Sequence, residues 1–78
     1  MSARLLRLNS ELLRCIERSG HPKRALALVA GFPHYIYLYL AFRDGQVRAT
    51  PLLVQRLRSV ADAVGFPKDE IFLDEAAR

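Results

Sequence analysis

The chain has 78 residues, 51% of them hydrophobic and 26% charged, with a net charge of +4. That length leaves room for one small domain over residues 1–78 and excludes a second core, and the composition is that of a folding chain, not a disordered one. Cys15 is the only cysteine, which excludes an intrachain disulfide and a cysteine-built zinc site and suits a reducing, cytoplasmic setting. No apolar run approaches the ~18 residues of a membrane span, and the first residues lack the apolar stretch and cleavage site of a signal peptide. Charge is unevenly placed. Residues 1–50 carry eight Lys and Arg against three carboxylates, whereas residues 51–78 carry four against five. A basic first part suits one face on a polyanion, although solubility alone can produce the same balance.

The elements are expected to be helices. Leu5, Leu8, Leu12 and Ile16 recur at helical spacing, with Leu13 widening the stripe, so residues 4–18 read as an amphipathic helix stopped at Gly20. Pro22 suits the opening turn of a second helix over 22–30, where only Lys23 and Arg24 are polar and burial is expected almost all round. Gly31 ends it. Residues 34–42 are ambiguous: Tyr35, Tyr37 and Tyr39 alternate with Ile36, Leu38 and Leu40 as in a strand, and Asp44-Gly45 is a hairpin turn signal with Gln46-Val47-Arg48 as the return arm. The helical surroundings and Pro51 tip the reading to a helix. Thr50-Pro51 then starts a clear helix over 51–64, with Leu53, Leu57, Val60 and Val64 on one stripe and Gly65 as its stop. Pro67-Lys68-Asp69-Glu70 opens a last short helix, Ile71, Phe72 and Leu73 return to the core, and 74–78 form a frayed tail.

Two stretches carry a family resemblance. The run Ala25-Leu26-Ala27-Leu28-Val29-Ala30-Gly31-Phe32 is similar to the first helix and turn of the lambda-repressor-like, Cro-type helix-turn-helix family. Ala49-Thr50-Pro51, Leu57, Val60 to Pro67 and Glu70-Ile71-Phe72 resemble that family's fourth and fifth helices. Together the matches span residues 9 to 73. The resemblance implies an all-α, compact five-helix domain with its helix-turn-helix at about 22–43, and a repressor-like transcription regulator that binds double-stranded DNA as a homodimer. It places helix 34–42 in the major groove, with Pro33, His34, Tyr35, Leu38 and Tyr39 facing bases, and Tyr37 and Leu40 facing inward. Lys23 and Arg24 stand where the family often has Gln or Ser to hold a phosphate, and Arg43 and Arg48 flank the loop where phosphates pass. The chain departs from the family in offering no Arg, Asn or Gln to bases from the third helix, and in a Gly31 to Gly45 spacing about two residues longer than usual.

The same residues allow another reading. An exposed stripe of Tyr35, Leu38, Tyr39 and Phe42 is also what a protein-docking or oligomerisation surface looks like. No nucleophile–base set, glycine-rich phosphate loop or metal-ligand spacing occurs, so neither enzymatic activity nor a cofactor is expected.

Overall fold

The structure, a computed structural model, describes residues 4–76. It is mostly helical, with one small sheet. In chain order it has β1 (Leu5–Arg7), α1 (Ser10–Ser19), α2 (Lys23–Ala30), α3 (Tyr35–Asp44), β2 (Gln46–Arg48), α4 (Pro51–Val64), a single 3-10 turn (Lys68–Glu70) and the four-residue α5 (Leu73–Ala76). Among the described residues no single helix is long and apolar enough to cross a membrane.

The expectation of an all-α chain is corrected at the first element. β1 and β2 pair antiparallel, with Leu6 opposite Val47. Leu6 and Leu8 are both buried while Leu5 is 56% exposed, a period of two where a helix needs 3.6. The helix starts only after Asn9, whose side-chain oxygen accepts from the Glu11 N–H at 3.0 Å. Asn9 also fastens this end of the molecule: its side-chain amide donates to the Glu70 carbonyl and its N–H to the Ile71 carbonyl. The return arm at Gln46–Arg48 is a strand, but its partner is β1 and not residues 34–42, which are helical.

The core draws on every layer. Leu12 and Ile16 of α1, Leu26 and Ala27 of α2, Leu38 of α3, and Leu57, Val60 and Ala61 of α4 are buried together with Phe32, Ile71 and Phe72. Leu73, expected in the core, is 42% exposed. α2 is not buried all round: Leu26, Ala27 and Ala30 face inward, while Leu28 and Val29 are 67% and 77% exposed. Residue 74, expected in a frayed tail, lies in α5 and is firmly held; 77 and 78 lie outside the described residues. Asp74 accepts from the Arg7 N–H at 2.9 Å and from the Arg7 guanidinium at 2.9 and 3.1 Å. The backbone donor, then the guanidinium, hold its carboxyl below the usual carboxylate range.

α2 ends at Gly31, at φ 91°. The Gly31 N–H donates to Leu28 and the Phe32 N–H to Ala27, a paired closure that needs the left-handed conformation at Gly31 and drives Phe32 into the core. Four residues later α3 begins, and α2 and α3 are bent through 104°.

Candidate functional site

The distinguishing surface of the molecule lies where α1, α2 and α3 meet. An open groove of about 610 Å³ is lined by Leu13 and Ile16 of α1, by Pro22, Lys23 and Arg24, and by Tyr35, Leu38, Tyr39, Phe42 and Arg43 of α3. Six of the nine residues singled out from the sequence therefore come together: Lys23, Arg24, Tyr35, Leu38, Tyr39 and Arg43. Pro33 and His34 sit in the exposed turn ahead of α3, and Arg48 projects from β2, away from the groove lining.

Helical phase explains the arrangement. His34 is the N-cap of α3: its Nδ1 accepts from the Ile36 N–H at 3.2 Å. That start sets Leu38 and Ala41 one turn apart on the inner face, and both are buried. Leu38, at 2% exposure, is thus a core residue that floors the groove, and its expected place facing bases is corrected. Tyr37, expected to face inward, is 54% exposed, and Leu40 is only half-buried. Ile36 and Tyr37, like Tyr35 and Tyr39, are exposed, but only the last two line the groove. Their exposure was legible only through the cap, and histidine is not among the residues that usually announce one.

The rim is cationic. The Arg24 guanidinium lies over the Tyr35 ring, 5.2 Å from its centroid, and the His34 imidazole stacks on the same ring at 4.7 Å. Among the described residues, no carboxylate lies within ion-pair distance of Lys23 or Arg24. Arg43 pairs loosely with Asp44 at 3.4 Å, both side chains mostly exposed, and so stays available to an incoming anion. α2 opens at Pro22 with no side-chain cap, so the N–H groups of its first turn point outward beside those two cations. Behind the turn, the Arg56 guanidinium of α4 lies 5.6 Å from the Phe32 ring centroid and braces the α2–α3 corner.

The arrangement can receive an anion beside apolar and aromatic surface. Compared with known proteins, the chain matches no family model, no curated protein and no solved structure.

Proposed function

We propose that the chain is a DNA-binding transcription regulator of the lambda-repressor-like class, a five-helix domain in which α2 and α3 form the helix-turn-helix. The observation that carries this reading is the 104° bend between two short helices across a glycine turn, within the range of about 90–120° that lets a second helix enter the major groove. Lys23 and Arg24, with no carboxylate partner at the start of α2, and Arg43 beyond the end of the apolar face, are suited to backbone phosphates. Arg48 would add a phosphate contact from β2. Tyr35, Ile36 and Tyr39 would meet the groove floor through hydroxyl hydrogen bonds and contact with thymine methyls. His34 keeps only Nε2 for that work, because Nδ1 is held by the cap. A homodimer on a two-fold site would double this small footprint.

The test is fluorescence anisotropy on duplex DNA across a salt series. Binding should weaken steeply with salt, since each neutralised phosphate releases counterions, and the Lys23→Ala/Arg24→Ala double variant should flatten the log–log slope by about two. Equal affinity at low and high salt would overturn the reading.

The exposed apolar residues favour a second reading, in which the same fold docks a protein or a second copy through α3. Tyr39, at 53% exposure, is then an interface residue, and Tyr39→Asp should dissociate an assembly in size-exclusion chromatography. A monomer both before and after the change would exclude it.

A further inference from the structure

We infer that the α1–α2–α3 groove is a binding site for a small aromatic carboxylate, an aryl ring system bearing one anionic group. Its size is right for such a molecule: about 610 Å³ lies within the range of roughly 300–1,000 Å³ typical of small-ligand pockets. Its chemistry is two-part. The floor is Ile16 and Leu38, both almost wholly buried, and the α3 wall carries the rings of Tyr35 and Tyr39. A flat apolar group suits a slot walled by rings, because offset and edge-to-face ring contacts add to simple burial.

The ionic part is of one sign. Lys23, Arg24 and Arg43 line the groove and no carboxylate does. Arg24 is the residue best placed to hold an anion. Its guanidinium carbon lies over the Tyr35 ring, 5.2 Å from the centroid, which holds the group at the groove rim. Among the described residues its side chain donates to no protein acceptor. A carboxylate can take the guanidinium's N–H donors two at a time, as the planar fork prefers. Charge complementarity thus selects an anion over a neutral or cationic ligand, and the apolar floor selects an aryl acid over a hydrophilic one.

The site goes beyond the DNA reading and stands without it. The groove nevertheless shares three cations, Lys23, Arg24 and Arg43, that the DNA reading assigns to phosphates. The assay is therefore run without DNA, so that failure of ligand binding and failure of DNA binding are separate results.

The experiment is isothermal titration of the full chain with 1-naphthoate and with its uncharged analogue 1-naphthalenemethanol, at fixed ionic strength. Saturable one-to-one binding of naphthoate is expected, about tenfold or more tighter than the alcohol, as a charge-assisted hydrogen bond confers. Arg24→Ala should remove most of that difference. Arg14→Ala, which deletes a cation paired with Glu11 and outside the groove lining, should preserve it. Circular dichroism on each variant separates lost binding from lost folding, and Arg24→Lys, which keeps the charge without the fork, should fall between wild type and Arg24→Ala. Equal binding of acid and alcohol, no saturation up to millimolar naphthoate, or equal losses in Arg24→Ala and Arg14→Ala would each overturn the proposal.

Discussion

The two ends of this small molecule are held by different physics. At one end, β1, the 3-10 turn and α5 are stitched by polar contacts between residues far apart in sequence: Arg7 with Asp74, and Asn9 with Glu70 and Ile71. At the other end, around α3, the side-chain hydrogen bonds are local, such as His34 to Ile36 and Arg43 to Asp44, and α3 is anchored by burying Leu38 and Ala41. Leu40 and Phe42 are half-buried, and the other large side chains of α3 stay in water. A chain of this size has little apolar area to spare, so leaving Tyr35, Ile36, Tyr37 and Tyr39 exposed on one helix is costly unless something else covers them. The difference teaches that long-range polar contacts close one region, while the other leaves large apolar and aromatic side chains uncovered.

The comparison breaks first at Leu38. If α3 hangs on that side chain, Leu38→Ala should cost about 2–5 kcal/mol in urea denaturation, whereas Tyr39→Ala, one residue on, should stay within about 0.5 kcal/mol. Similar losses at both positions would mean that the phase of α3 is wrong. Gly31→Ala should be the next largest effect. Only Arg56 Nε comes within 4 Å of an added methyl, at 3.9 Å, so the cost is conformational: about 1–2 kcal/mol for a left-handed alanine.

These two sites also show what was legible in the sequence. The turn at Gly31, the stop at Gly65 and the helix Pro51–Val64 were readable because each is announced by a neighbour: a glycine just past the end, or Thr50-Pro51 at the start. β1 was not. Leu8, Leu12 and Ile16 do share a helical spacing and all are buried, and that true stripe hid the alternation of Leu6 and Leu8 just before it. The partners that make Leu5–Arg7 a strand, Val47 and its neighbours, lie some forty residues away, where no local pattern reaches. In the groove, the cationic residues Lys23, Arg24 and Arg43 were legible as charges, but their convergence with Leu13 and Ile16 depends on how α1 crosses the other two helices.

A smaller effect sharpens the local end. His34→Ala removes the acceptor for the Ile36 N–H and should cost about 1 kcal/mol, while His34→Asn, a good capping residue, should hold wild-type stability. An equal loss in both would assign His34 to stacking on Tyr35 instead. The smallest effect tests the polar end. Asp74 has a depressed folded-state pKa, so its contribution to stability is present above the ordinary carboxylate value of 3.8 and is lost as pH falls through the folded value. Asp74→Asn should therefore be slightly less stable than wild type at pH 7, and the two urea curves should converge under acid. A gap that persisted at low pH would show that the contact depends on shape and not on charge. Arg7 is largely exposed and Asp74 half-buried, so added salt should narrow the gap at neutral pH in part.

The antiparallel pairing of β1 has a consequence for how the chain is made. Residues 5–7 leave the ribosome before their strand partner, 46–48, and the cover for their outer edge, Asp74, comes 67 residues after Arg7. The helices between can close on contacts nearer in sequence, which form fast, whereas the sheet must wait for long loops to close. Throughout synthesis the opening strand is an unpaired edge of Leu5, Leu6 and Leu8, the kind of segment that invites pairing with another chain. Arg4 and Arg7, on either side of Leu5-Leu6, put like charges on that edge, a pattern that disfavours such pairing.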